Sequence, residues 1–318
     1  MDTALGTPPW QEFTRRYWNV EPVRFDYAPR GDSGPKLSAV FYTGADRRLM
    51  LPPYQPHAPL RFSPTATDAA YRIQRQWLDT ARLLVDDMQV RGIRGELTFS
   101  TAMVDPRPWS WAHFRVAVRF TNFIDFPFQI DQADRVVRQQ ANKAVRAGLV
   151  CSQTDRLEDA LACLCDSEGR QGFDYGITLA GLELARELLG PEAFRVYLCA
   201  TAQGEPVSAR VVLHQPRGRA CDWLAGTRNA FLSCGATQLL LWHVLDDLAR
   251  AGACGYNSCG ADIEPVAQAK AAWGGRLVPQ YSLIAYDFRS NKHLLGEMFR
   301  FIRRRRRVRR EKAPGEDE

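Results

Sequence analysis

Hydrophobic positions change period along the chain, and the changes mark its elements. In AYRIQRQWLDTARLLVDDMQVRG apolar residues fall three and four apart, which predicts a helix ended by Gly92. GELTFSTAMVD then reads as a strand, and FRVAVRFTNFIDF alternates apolar and polar side chains as a half-buried strand does. The helical period returns in IDQADRVVRQQANKAVRAG, with Asp131 as expected N-cap and Gly148 closing it. DRLEDALACLCDSEGR and TLAGLELARELLG predict two more helices. FRVYLCATAQGEPVSARVVLHQPRGRACDWLAGT reads as three strands with turns at Gln203-Gly204 and Pro216-Arg217-Gly218. A strongly apolar helix, GATQLLLWHVLDDLARAG, follows, then the short strand GYNSC, the helix VAQAKAAW and a closing strand in RLVPQYSLIAYDF. The first 65 residues are rich in Pro, Gly and aromatics and read as short strands and loops.

The second half thus runs helix, helix, strand meander, helix, strand, helix, strand, and the first half repeats a blurred version of that order. The expected fold is α/β in the broad sense (α+β), with two tandem units that each set a mixed, mostly antiparallel sheet against helices. The expected divisions are a degenerate unit over 1–148, a second over 149–290 and a basic tail over 291–318.

Composition narrows the class. Apolar residues make up 45% and charged residues 25% of 318, as in ordinary globular proteins. The net charge of +6 is concentrated, because seven arginines fall between Arg303 and Arg310. Such a run can hold RNA through phosphate contacts, serve as a solvated extension, or lie on an anionic membrane surface. Nothing resembles a signal peptide or a spanning helix, and the eight cysteines lack metal or disulfide spacing, so a cytoplasmic location with free thiols and no metal is expected.

Chemistry signatures are sparse. There is no GxSxG elbow, no P-loop and no dinucleotide fingerprint. His243 within LLLWHVL reads as a core histidine, while His57 and His113 are minor candidates for lining a site.

Several segments together resemble the Fem-type peptidyltransferases and their FemAB-like relatives in the GNAT superfamily. AKAAWGG, Ala269 to Gly275, is similar to the family's F-K-x-x-F-G-G. LPPYQPHAPLRF, DPRPWSWAHFRVAVRFTNFIDF and ANKAVRAGLVC resemble its P-P-x-x-P, R-P-F-x-W and R-K-A-x-K-x-G-L segments, in the family's order. The likeness spans roughly residues 40 to 290. It implies tandem GNAT-like domains and transfer of an acyl group onto the amine of a small molecule or peptide. It also implies no tightly bound cofactor, with aminoacyl-tRNA or acyl-CoA as co-substrate; the degenerate pyrophosphate loop and the arginine tail tilt the choice toward tRNA, and a non-catalytic GNAT-like protein that binds RNA or a membrane is the alternative.

The resemblance places Lys270 at the family lysine that steadies negative charge on the ester carbonyl. Asp262, Asp105 and Asp125 are candidate bases near motif segments. Arg107, Trp109, Trp111, Asn122, Trp273 and Tyr281 fall where an acceptor groove is expected, although packing at the domain interface is the favoured role of Trp109 and Trp111. On the donor side stand Gly235 and Ala236, where GNAT proteins carry [QR]-x-x-G-x-[GA] before a helix, together with Arg228 and Arg210. Arg210 reads equally as a phosphate partner or a strand-edge residue. The family Phe before the lysine is Ala269 here, and its Y-T-Y is Phe120-Thr121-Asn122, which points to an altered acceptor pocket.

Overall fold

The computed structural model describes residues 4–171 and 176–285. The basic tail and its arginine run lie outside the described residues.

The expected alternation of elements is present, with an unexpected start. α1, Pro8–Trp18, is a helix where loops were expected; prolines at its first positions preset φ, and Trp10 and Phe13 are fully buried. Strands β1 (Glu21–Tyr27), β2 (Lys36–Thr43), β3 (Leu49–Met50) and β4 (Leu60–Ser63) form a small antiparallel sheet. α2 (Ala70–Arg91) ends at Gly92 as its period predicts, and lays Trp77, Leu84 and Met88 on this sheet. β5 is only Glu96–Thr98, and the short α3, Arg107–Trp111, precedes β6, Arg115–Asp125.

α4 covers Arg135–Arg146, and its N-cap is Asp134, whose Oδ1 accepts from the Val136 N–H at 2.7 Å. Asp131, the expected cap, sits instead in a single 3₁₀ turn over Ile130–Gln132. β7 (Val150–Gln153), α5 (Leu157–Gln171) and α6 (Leu179–Ala193) follow. The meander is β8 (Phe194–Ala200), β9 (Pro206–Leu213) and β10 (Arg219–Thr227). α7 (Ala236–Arg250), β11 (Gly255–Gly260), α8 (Glu264–Ala271) and β12 (Arg276–Ile284) complete the order.

A second, eight-stranded sheet runs β5-β12-β6-β11-β10-β9-β8-β7. All its pairs are antiparallel except β10 with β11. This sheet takes strands from both sides of residue 148: β6 lies between β12 and β11 and pairs with β12 over nine residues. Two cores cover its faces. Trp10, Phe13, Leu164 and Leu182 of α1, α5 and α6 pack with Val196, Val211 and Trp223 on one face. Val137, Leu240, Val244 and Leu248 of α4 and α7 pack with Tyr197, Val212 and Tyr256 on the other. Burying such side chains contributes about 1.5–3 kcal/mol each, which makes the sheet a rigid base for whatever its edges carry. The α1 helix therefore docks on the half of the chain farthest from it in sequence. Among the described residues no helix is long and apolar enough to cross a membrane.

Candidate functional site

A fork between two strands is the centre of the candidate site. β10 and β11 run parallel and in register only from Arg219–Gly255 to Cys221–Asn257. Past that point β10 stays with β9 as far as Thr227, while β11, paired with β6 from Gly255 onward, ends with Gly260 opposite Thr121. Parting strands leave ladder groups for other partners, so a fork in a sheet is a natural place for a ligand's backbone-like atoms.

Lys270, in the last turn of α8, closes one side of the fork. Its Nζ donates to the carbonyls of Ser258, Cys259 and Gly260 at 2.5, 3.1 and 2.7 Å. An ammonium has three N–H donors, and all three are engaged by the end of β11. Burial lowers the Lys270 pKa from its ordinary value; Cys259 and Asp222 oppose that shift, and Arg210 adds to it. Cys259 itself has φ +60, so the strand end that Lys270 clasps is bent out of extended geometry.

Beneath the fork lies a buried ionic group. The Arg210 guanidinium on β9 pairs with the Asp222 carboxylate on β10 and donates to the Tyr256 hydroxyl at 3.4 Å. Burial disfavours the arginine's charge, yet Asp222 and Tyr256 more than offset this and raise its pKa. Burial, with Asp222 alongside, also raises the Tyr256 pKa well above that of a free phenol, so it is a neutral donor. The Cys221 and Cys259 sulfurs lie 3.3 Å apart across the fork. That contact and burial raise the Cys221 pKa, so its thiol is protonated at neutral pH.

A cavity of about 210 Å³ opens at the far end of β10, beside the first turn of α7. Arg170, Arg210, Ser208, Thr227 and Thr237 line it and supply two guanidinium groups and three hydroxyls. Its hydroxyls are already chained: Ser208 to Thr227 at 2.8 Å, and Thr227 to Thr237 at 3.0 Å. Among the described residues no three His, Cys, Asp or Glu side chains gather where a metal ion could be held.

The other sequence candidates scatter. Asp262 Oδ1 accepts from the Phe120 N–H at 3.1 Å, fastening the loop after β11 to β6. Asp105 takes two bonds from the Arg107 guanidinium, both at 2.8 Å, and one from its N–H, which ties it to the first residue of α3. Arg107 stands over the ring of Trp111, which is half exposed, whereas Trp109 is fully buried against Trp77 and Phe99. Asp125 is tied to Arg276 at 2.9 Å and Arg219 at 2.5 Å, and both arginines hold its carboxyl below the usual range. Trp273 is buried in the α4–α7 core, and Tyr281 packs on the small-sheet core.

Asn122 is buried, and its Oδ1 has no hydrogen-bond partner among the described residues. It lies against Gly275, where any Cβ would strike it. Gly274, at φ +73, turns the chain out of α8, so the glycine pair both reverses direction and passes close over β6. Gly235 and Ala236 are buried at the start of α7, and a Cβ on Gly235 would strike the Gln140 carbonyl of α4. Lys143 of α4 also donates to the Ser233 carbonyl at 2.7 Å. The small pair therefore serves the packing of α7 under α4. Arg228 lies 3.6 Å from Asp166 and 3.7 Å from Glu205. Asp222, Tyr256 and the two fork cysteines were not anticipated; the signal available was a charge inside each of two otherwise apolar runs, VSARVVL and ACDWLAGT.

Comparison with known proteins bears on the fold that carries these residues. Residues 132–264 match the family model of the acetyltransferase (GNAT) domain, a span that holds the fork but stops short of Lys270. No curated protein sequence matches the chain. Among solved structures the chain is similar to FemX, with 11% identity, a TM-score of 0.60, and coverage of 88% of this chain and 92% of that one. It is also similar to L-PGS from Bacillus licheniformis, with 12% identity, a TM-score of 0.51, and coverage of 81% and 84%. At such identities the likeness is one of fold. Residues 132–264 thus match the acetyltransferase (GNAT) domain model, and the chain as a whole shares the fold of FemX.

Proposed function

We propose that the chain transfers an aminoacyl or acyl group from an activated donor to the amine of a small molecule or peptide, with the β10–β11 fork as the reacting centre. The observation that supports this most is the pairing of a parted parallel strand pair with a semi-buried lysine clasping its end. Acyl transfer to an amine needs alignment of donor carbonyl and amine, and a place for the negative charge that builds on the carbonyl oxygen. The fork supplies alignment through its unpaired strand edges. Lys270 supplies the charge; because its three protons are engaged, it reaches a donor carbonyl by exchanging one main-chain bond for it. Arg210, fixed by Asp222, keeps a second cation close by without offering itself as an acid. In this reading Asp262 fastens a loop to β6 and Asp105 holds Arg107, so the amine enters deprotonated or gives its proton to solvent.

Aminoacyl-tRNA is the favoured donor over acyl-CoA. The start of α7, where a GNAT pyrophosphate would rest on helix N–H groups, is packed under α4 at Gly235. The arginines lining the 210 Å³ cavity are already engaged, Arg210 by Asp222 and Arg170 by the Thr227 carbonyl and the Asn229 side chain, so no free cation there awaits a pyrophosphate. Incubating the full chain with charged tRNA or with acyl-CoA, each with an amine panel, separates the readings. Amine-dependent deacylation of charged tRNA is the expected result. Consumption of acyl-CoA alone overturns the donor assignment, and consumption of neither overturns the function.

A further inference from the structure

A second cavity, of about 280 Å³, lies between the small sheet and the large one, away from the arginines at the end of β10. Its wall includes His57, Ser100, Thr101, Arg217, Arg219 and Asn257. The lining holds two cations and no carboxylate, which already favours an anionic occupant.

The two arginines are not equivalent. Arg219 donates to Asp125 at 2.5 Å and to the Ile124 carbonyl at 3.1 Å, and its guanidinium lies 4.2 Å from the Phe123 ring centre. Its charge is matched. Arg217, at the exposed turn between β9 and β10, has no ion pair or side-chain hydrogen bond among the described residues. The cavity thus carries one uncompensated positive charge, which suits a monoanion better than a phosphate dianion. Neutral polar groups fill in around it. His57 is 3% exposed, and its Nδ1 has no hydrogen-bond partner among the described residues. A buried polar atom without a partner is costly to maintain.

We propose that this cavity binds the carboxylate of a small amine-bearing molecule of amino-acid or dipeptide size, with Arg217 as the partner of the anion. The size follows from the volume, which lies just under the usual range for drug-sized ligands. Asn257 joins the cavity to the fork: it lines the wall and is also the last residue of β11 to pair with β10. A molecule held by its carboxylate here is placed beside the strand end that Lys270 clasps. Its role as acyl acceptor rests on the transfer reading above; its binding does not.

Cys254 provides a direct readout, since it lines the cavity and is a free, exposed cysteine. Alkylation of Cys254 by iodoacetamide, followed by peptide mass mapping, is measured with glycylglycine, with glycylglycine amide and with inorganic phosphate. The expected result is slowing by glycylglycine alone, with Arg217→Ala raising the half-protecting concentration about tenfold and Arg217→Lys restoring part of it. A charged hydrogen bond of this type supports a change of that order. Equal protection by the amide, stronger protection by phosphate, or no effect of Arg217→Ala overturns the site. Protection by glycylglycine with no acyl transfer keeps the site and removes its acceptor role. Transfer to amines with no protection does the reverse.

Discussion

Two arginine–aspartate pairs in this molecule have the same chemistry and opposite settings. Asp105 and Arg107 are two residues apart, at the head of a five-residue helix, and the arginine is nearly half exposed. Arg210 and Asp222 sit on neighbouring strands, each side chain about one-tenth exposed, beneath the fork. The first pair organises a turn that water could organise almost as well. The second is a charge pair that the surrounding core forces to stay whole, because removing either partner strands the other without water. The first pair is close in sequence, whereas only the sheet register brings the second together.

The comparison breaks most clearly at the buried pair. Asp222→Ala leaves Arg210 uncompensated, and a loss of about 3–5 kcal/mol in unfolding free energy is expected by chemical denaturation. A loss no larger than that of an exposed pair would mean that water reaches the fork floor. A smaller but pH-specific effect is expected at His57, whose imidazole burial pushes down to about 4 from 6.5. The native state then holds this ring neutral while the unfolded chain takes up a proton below 6.5. Stability is full above that pH and falls as the pH drops toward 4, by up to about 3 kcal/mol over the 2.5-unit gap. His57→Gln should flatten that part of the stability profile; an unchanged slope would assign it to other groups. Lys270→Met removes the donor to three carbonyls and should cost about 1–3 kcal/mol in the same assay. Asp105→Asn should leave the denaturation midpoint close to wild type, since exposed pairs contribute little.

Period and punctuation carried most of the fold. The meander turns, the Gly92 stop and the helix before Gly274 all depend on residues adjacent in sequence, and each is where the pattern puts it. Elements whose place depends on distant partners were less legible. The helix at Pro8–Trp18 carries its own start signal in the paired prolines, but its docking on α6 and Trp223 is long-range packing that no local pattern encodes. The N-cap moved from Asp131 to Asp134 because both can cap, and the intervening 3₁₀ turn decides between them. At the fork the lysine could be picked out by resemblance, while its three carbonyl partners could not, because main-chain acceptors have no sequence signature. Arg210, Asp222 and Tyr256 meet only through the register of three strands.

The account turns on whether the fork is where acyl transfer happens. The most direct measurement is single-turnover transfer from a charged donor to an amine, comparing wild type with Lys270→Ala in protein shown to be folded by its denaturation profile. A fall in the chemical step of about a hundredfold or more, with donor binding little changed, is expected for loss of a charge that meets the developing oxyanion. Turnover within a few-fold of wild type would contradict it, and would leave Lys270 as a fastener of β11 alone.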